Sequence, residues 1–408
     1  MSTLLVLVLN CGSSSIKFAI IDPHNGDEIL TGMAERLFSS DAQLIFKHNG
    51  DKTVVSKPDA GHSAALNSVV EFIQQQPGLA EQIKAVGHRV VHGGEHFRGS
   101  VLITDEVMRY IDDCNHLAPL HNPANLSGID IARQVFPQLP HTAVFDTAFH
   151  QSMPAKAFIY PLPYELYIHH GVRRYGFHGT SYRYVSEQAA QDLSLPLDNS
   201  AMVIAHLGNG ASVTAVLNGK SVETSMGMTP NEGIVHGTRS GSIDPSIHEY
   251  LADRLELSIQ QVNDILWKQS GLLGISGISN DCRTIEDAAA RDHERAKLAL
   301  EIYSYRLARM IASLVPALGR LDGIIFTGGI GENSDLIRAD VIRQLGFLGL
   351  QLDDDRNQTT IRGARGPITA DSSPVTALVI PTNEELMIAQ DAAHFIDQPQ
   401  PALVGANA

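Results

Sequence analysis

The 408 residues are enough for two domains with complete hydrophobic cores, and a formal net charge of −15 argues against a nucleic-acid partner. Cys11, Cys114 and Cys282 stand far apart with no CxxC pair, which argues against a disulfide framework or a structural zinc site and fits a reducing, cytoplasmic setting. The apolar start lacks a basic flank and is not expected to be a signal peptide. No stretch approaches a membrane span, so no membrane partner is expected. If the ligands are anions, so acidic a chain must carry its own local positive charge at the site.

Taken in chain order, Leu4–Leu9 reads as a buried strand delivered into Asn10, Cys11, Gly12, Ser13, Ser14, Ser15, Ile16 and Lys17. Backbone N–H groups, hydroxyls and one ammonium in that span make a socket for phosphate oxygens. AVGHRVVHGG (Ala85–Gly94) and HTAVFDTAFH (His141–His150) read as buried strands ending at polar residues. MVIAHLGNGAS (Met202–Ser212) repeats the strand-then-small-residue pattern, and GISGISNDCR (Gly274–Arg283) reads as a glycine-punctuated loop. Ala296, Leu300, Tyr303, Leu307, Met310, Ile311 and Leu314 keep helical spacing from Ala296 to Val315. A turn at Gly319–Asp322 then feeds a strand at Gly323–Phe326, whose loop GGIGEN (Gly328–Asn333) is the third of its kind. Gln351–Ser373 is charged and turn-rich and reads as a surface hairpin region. Thr382, Asn383, Glu384 and Glu385, just after Pro381, predict a capping box and a helix. The tail Asp397–Ala408 is broken by prolines and is expected to be disordered.

Three strand-then-loop units point to a nucleotide and to phosphoryl transfer. Val8–Ser15 and Ala205–Ser212 form a weak internal repeat, each followed by a further strand, as hairpins that grip phosphate would be. Neither is a Walker loop, because no GxxxxGK[ST] occurs. Alternating strand and helix signals predict an α/β protein, and two related domains closing on one nucleotide is the simplest architecture that uses both hairpins.

Arg89 and Arg239 are hemmed by glycines or small residues, so a planar guanidinium can approach a carboxylate or phosphoryl group with two parallel bonds. A structural arginine paired with a carboxylate explains either equally well. His88, His92 and His96 have a spacing that would suggest metal on a helix, but the intervening residues read as a strand and a turn, so no metal is expected there. His178 lies between an aromatic and a glycine in a basic setting suited to transition-state contact; a satisfied core histidine is the plain alternative. Asp146 ends a buried strand, where catalytic groups of α/β folds gather, though it could equally be the N-cap of the next element. Glu384, in a helix first turn, reads by itself as a complement to the helix dipole.

LNCGSSSIKF, HRVVHGG, PLHNPAN, VFDTAFH, RRYGFHGTS, HLGNGAS, GTRSGSID, GLLGISG, DCR, FTGGIGENS and TNEEL occur in this order across nearly the whole chain. Together they resemble the acetate kinases, a family of short-chain acyl kinases. The resemblance implies two related α/β domains of the actin, hexokinase and Hsp70-like ATPase fold around a central nucleotide cleft. It implies a first domain of residues 1–149 plus 385–408 and a second of 150–384. The activity it implies is reversible phosphorylation of acetate by ATP, giving acetyl phosphate and ADP. Propionate kinase is the near alternative, and a non-catalytic actin-like switch the distant one.

By the same resemblance Asn10 and Glu384 are the metal-associated pair, for Mg²⁺ with Mn²⁺ able to replace it, which reverses the plain reading of Glu384. Asp146, His178, Arg239 and Arg89 are the catalytic set. Arg89, Val91, Leu120, His121, Phe177 and Pro230 bind the acyl substrate. Lys17, His206, Leu207, Gly208, Asn209, Gly210, Asp281, Cys282, Arg283, Gly329, Ile330, Gly331, Glu332 and Asn333 bind the nucleotide. A homodimer is implied as well. The physics agrees with this assignment: a carboxylate oxygen is already a competent nucleophile, so catalysis reduces to positioning and to neutralising charge on the phosphoryl oxygens.

Overall fold

The structure is a computed structural model that describes residues 4–119 and 121–396. Contacts divide the chain into two compact units, Met1–Phe149 with Asn383–Ala408, and His150–Thr382. Both are α/β. Among the described residues no helix is long and apolar enough to cross a membrane.

The first unit is built on an eight-stranded sheet ordered β5-β4-β3-β2-β1-β6-β8-β7. Its strands are β1 (Leu5–Cys11), β2 (Ile16–Ile21), β3 (Glu28–Glu35), β4 (Gln43–His48), β5 (Asp51–Ser56), β6 (Ile83–Val90), β7 (Val101–Leu102) and β8 (His141–Phe145). β1 lies mid-sheet, antiparallel to β2 and parallel to β6. Its alternate residues bury on opposite faces, as strand geometry requires. Leu5, Leu7 and Leu9 pack with Phe18, Leu44 and Phe46 on one side. Val6 and Val8 pack on the other with Ile388, Ala389 and Ala392 of the last helix, Glu384–His394. Gly87 permits that helix to sit close, because a Cβ there would lie 2.5 Å from Ile388 Cγ2.

The second unit has a six-stranded sheet ordered β11-β10-β9-β12-β14-β13. Its strands are β9 (Ala201–Leu207), β10 (Ala211–Leu217), β11 (Lys220–Thr224), β12 (Gly323–Thr327), β13 (Gly366–Pro367) and β14 (Thr376–Val379). The sheet buries Val203, Ala205, Ile324 and Phe326 against Leu300, Tyr303, Leu307, Ile311 and Leu314 of the helix Glu294–Leu318. The helical spacing read in the sequence is this buried stripe, with Met310 only partly covered at its margin.

The weak repeat has a topological counterpart. In each unit an antiparallel three-strand meander (β3-β2-β1, then β11-β10-β9) leads to two parallel strands (β6 and β8, then β12 and β14) and an antiparallel edge strand.

Local expectations failed in four places. The loop GGIGEN is a short helix, Gly328–Asn333, and half of GISGISNDCR is taken up by the end of one helix (Gly271–Ser276) and the start of another (Cys282–Ala289). Glycine-rich composition misled because tertiary packing outweighs helix propensity, most plainly at Gly328–Asn333, which starts directly at the end of β12. Gln351–Ser373 holds the helix Asp354–Thr359 between the bridged residues Leu352 and Thr369. The last helix is capped by Asn383, whose Oδ1 accepts from the Leu386 N–H, so Thr382 and Glu385 do not form a capping box. Thr382 Oγ1 instead bonds Ser181 Oγ at 2.8 Å. The expectation for Asp397–Ala408 lies outside the described residues.

Candidate active site

In the first unit, strand register assembles the charged groups. Asn10 and Lys17 are cross-strand partners at the β1–β2 turn. Arg89 lies near the end of β6, and Asp146 directly follows β8. The start of the last helix supplies Glu384 and Glu385. Asn10, Lys17, Arg89, Glu384 and Glu385 line one pocket of about 450 Å³.

Arg89 donates from Nε to Asp146 Oδ1 at 2.9 Å and from Nη2 to Asp146 Oδ2 at 2.7 Å. Burial weighs against the arginine's charge, and Asp146 more than offsets it, so its pKa moves up. Arg89 is thus both a glycine-flanked cation facing a pocket and a carboxylate-paired arginine. Glu384 is in the opposite condition. Burial pushes its pKa up, the cations Arg89 and Lys17 pull it down, and Asp146 and Glu385 push it further up. Its Oε1 is buried without a hydrogen-bond partner. A buried, unpartnered carboxylate oxygen is costly unless something occupies it. With Asn10 in the same pocket the donors are hard oxygens, and they fit Mg²⁺, which keeps several waters and takes few protein ligands.

Val91 follows β6 and is 8% exposed; its N–H donates to Asn125 Oδ1 at 3.1 Å. His121 stands at the N-cap of the helix Asn122–Val135. Leu120 lies outside the described residues.

In the second unit His178 immediately precedes the helix Gly179–Asp192 and holds a left-handed backbone at φ 60°. For a residue with a Cβ that conformation costs roughly 1–2 kcal/mol. Its Nδ1 bonds Ser212 Oγ at 2.9 Å, and its ring stacks on His206 with centroids 4.2 Å apart. Gly210 lies between two cationic or proton-bearing groups: a Cβ there would be 3.3 Å from Arg239 Nη1 and 3.6 Å from His178 Nε2. Glycine keeps that space open. Arg239 donates to the Pro230 carbonyl at 3.0 Å, its guanidinium lies 5.4 Å from the Trp267 ring, and burial alone pulls its pKa down. It has no carboxylate partner among the described residues of its unit. A half-buried arginine so placed keeps N–H donors that could meet an anion.

The remaining sequence-derived positions divide by what their side chains do. Gly208 and Gly210 close the β9–β10 turn, and Asn209 within it takes the Asn280 amide on Oδ1 at 2.9 Å. Asp281 caps the helix Cys282–Ala289 and pairs with the exposed Arg283. Leu207 and Cys282 point into the core, so only their backbone can meet a ligand. Phe177 and Pro230 are buried in this unit. Glu332 turns inward: its Oε1 accepts from Gly328 N at 2.8 Å and Thr382 N at 3.2 Å, so its carboxylate satisfies a helix start. Asn333 is likewise engaged, donating to Gly329 O at 3.0 Å and accepting from Arg362 N at 3.0 Å. Gly329 is exposed, Ile330 half-buried and Gly331 buried.

Two kinds of contributor escaped sequence reading. Asn125 joins the ends of β1 and β6, donating to Cys11 O at 2.7 Å while accepting from Val91 N. Its signal was an asparagine pair, Asn122 and Asn125, one turn apart at a helix start. Ser212 bonds His178 Nδ1 and Tyr182 bonds Ser212, and no local spacing marks either.

A protein-family model described as the acetokinase family matches residues 5–390. The chain belongs to the acetokinase family. An acetate kinase of Chromobacterium violaceum is 56% identical over 390 residues, 95% of this chain and 97% of that acetokinase. Among solved structures, a propionate kinase from Francisella tularensis superposes with a TM-score of 0.91 at 46% identity, covering 96% of this chain and 99% of its own. Porphyromonas gingivalis acetate kinase gives a TM-score of 0.91 at 42% identity, over 97% of this chain and 100% of its own. The α/β architecture expected from the sequence is therefore that of the acetokinase fold.

Proposed function

We propose that this chain transfers the γ-phosphoryl group of ATP to acetate, reversibly and in line. One acetate oxygen forms a bond to γ-phosphorus as the bond to the β–γ bridging oxygen breaks, and ADP leaves. The observation that carries the reading is Arg239, a half-buried cation with no carboxylate partner among the described residues of its unit, beside His178 across the Gly210 gap. Such a pair suits the equatorial oxygens of a transferring phosphoryl group. Arg89, steadied by Asp146, orients the acetate carboxylate, and Val91 beside it flanks the methyl group; Leu120, His121, Phe177 and Pro230 are assigned to the acyl group by the family resemblance alone. Lys17 meets the phosphates. The β9–β10 turn, the helix start at Asp281–Arg283 and the exposed Gly329 serve the nucleotide, through backbone groups at Leu207 and Cys282. Mg²⁺, or Mn²⁺ in its place, associated with Asn10 and Glu384 would neutralise phosphate charge.

Val91 favours acetate over propionate because a branched side chain narrows the methyl pocket. The likeness to a propionate kinase at 46% identity keeps propionate as the second substrate. One methylene is worth about 1–3 kcal/mol in such a pocket, so both acids react, acetate faster. A homodimer is consistent with exposed apolar side chains on the second unit, among them Tyr250, Leu255 and Ile259. Three free, buried cysteines fit a reducing, cytoplasmic location. The test is ATP with a panel of short carboxylates and hydroxylamine, which traps acyl phosphate as hydroxamate. Hydroxamate from acetate above propionate and butyrate is the expected result; ATP hydrolysis without hydroxamate would refute it and point to the switch reading.

A further inference from the structure

His150 closes the VFDTAFH segment, has no role in the reaction described above, and is fully buried. Its Nε2 lies 2.9 Å from the Phe177 carbonyl, and its Nδ1 lies 2.8 Å from Ser221 Oγ. A carbonyl can only accept, so the proton is on Nε2 and the Ser221 hydroxyl donates to Nδ1. The carbonyl it holds is that of the residue just before His178. The ring also packs on Gly176, where a Cβ would come within 2.7 Å of it, and meets Tyr182 edge-on with centroids 5.6 Å apart. The Tyr182 hydroxyl bonds Ser212 Oγ at 2.5 Å, and Ser212 Oγ bonds His178 Nδ1 at 2.9 Å. Two routes therefore run from His150 to His178. One is the backbone on the N-terminal side of its left-handed turn. The other is the packing of the tyrosine that shares a hydroxyl with its ring.

A left-handed conformation at a non-glycine residue persists only where the surroundings over-determine it. We propose that His150 is a positioning residue: it clamps the Phe177 peptide so that His178 keeps its left-handed backbone and presents Nε2 toward the Gly210–Arg239 space. This rests on the reading of His178 as a phosphoryl contact. His150 itself touches no substrate. It acts on the chemical step and leaves ground-state binding alone.

The test is a double-mutant cycle with steady-state kinetics. His150→Phe keeps the ring against Gly176 and Tyr182 but loses both hydrogen bonds. It is expected to lower kcat by about 10–100-fold with KM for ATP and acetate changed less than about 3-fold, the pattern of a misplaced catalytic group. His150→Gln, which can still donate to the Phe177 carbonyl, is expected to recover most of that loss. In the His178→Ala background, adding His150→Phe should slow the enzyme no further. Wild-type kcat in a folded His150→Phe enzyme overturns the proposal, as does a loss of the same size in both backgrounds. If His178→Ala alone turns over normally, the reading of His178 fails, and it fails separately from the clamp. Should His150→Phe not fold, Ser221→Ala removes only the Nδ1 partner, and the same non-additivity with His178→Ala is required.

Discussion

Arg89 grips Asp146 with two parallel hydrogen bonds of 2.9 and 2.7 Å, so one whole edge of its guanidinium is committed within the fold. Under the proposed function the acetate carboxylate is met by the remaining N–H groups. Asp146, whose side chain is 2% exposed against 24% for Arg89, anchors the arginine from beneath.

The first prediction concerns that anchor. Asp146→Asn retains one acceptor but removes the charge. Arg89 loses its fixed orientation, and the incoming anion loses a repulsive neighbour. We expect kcat to fall about 100-fold or more, on the scale of a lost preorganised group, while KM for acetate stays level or decreases. Complete loss of a partner in a buried ion pair costs about 3–5 kcal/mol, and Asn should lose only part of that in Tm. Steady-state kinetics and a thermal melt check both. A large rise in KM for acetate with kcat preserved would mean that Asp146 serves binding rather than geometry.

The legibility of each residue in the sequence depends on what fixes its role. β1, β9 and β12 were legible because buried strands need continuous apolar runs, and the helix Glu294–Leu318 because one stripe faces a sheet. Arg89 and Arg239 were visible as cations among glycines. Their difference was not: Arg89 meets a carboxylate 57 positions away, while Arg239 meets a carbonyl and a ring and no carboxylate among the described residues of its unit. Glu332 shows the same limit. It sits in a glycine-rich run that resembles a nucleotide loop, yet its carboxylate closes the start of its own helix, a contact set by the close approach of Gly328 to Leu207. Glu384 was the reverse case, since nothing local distinguishes a dipole-complementing glutamate from one with a buried, orphaned oxygen.

The second prediction separates those two conditions at Glu384. A residue that only complements a helix dipole stabilises by about 0.3–1 kcal/mol, and its loss leaves turnover intact. Glu384 is instead a half-buried residue whose Oε1 is sealed from solvent and whose pKa burial raises, so it is a burden on the fold. Glu384→Gln should leave Tm unchanged or raise it, while kcat collapses and the Mg²⁺ concentration for half-maximal rate increases. Glu385→Gln is the control and should keep near-normal turnover. A Glu384→Gln enzyme that melts early but works normally at saturating Mg²⁺ sinks the metal assignment.

The third prediction concerns substrate size. Val91 is 8% exposed and its backbone is fixed by Asn125, so trimming its side chain should enlarge the pocket without moving the strand end. Val91→Ala should shift the propionate-to-acetate ratio of kcat/KM toward propionate, by up to about 10–200-fold, the range one methylene spans. Competition between the two acids in one hydroxamate assay measures the ratio directly. An unmoved ratio takes Val91 out of the acyl pocket.

The last prediction uses a buried pair within the first unit's sheet. His88 Nε2 and His141 Nδ1 are 2.9 Å apart, and His141 Nε2 lies 3.1 Å from the Phe136 carbonyl. His141 therefore donates to that carbonyl, and the single proton between the two rings forbids both from being cations at once. Burial pushes the pKa of His88 well down and that of His141 down to about 4 from an ordinary 6.5, each helped by the positive charge of Arg133. In the unfolded chain both rings take up a proton near pH 6.5; in the folded chain they do not until near pH 4 or below. The stabilisation is thus complete above about pH 6.5 and is lost as pH falls from there toward 4, because the unfolded state binds more protons throughout that window. His141 alone should account for on the order of 3 kcal/mol across it. Urea unfolding of the wild type and of His141→Gln, at intervals from pH 7.5 to 4.5, isolates the effect from the general acid sensitivity of carboxylates. The wild type should lose stability more steeply than the variant between pH 6.5 and 4.5, and the two curves should run parallel above pH 7. Parallel curves over the whole range would mean that the pair is already protonated in the fold, or that it carries no pH dependence of its own.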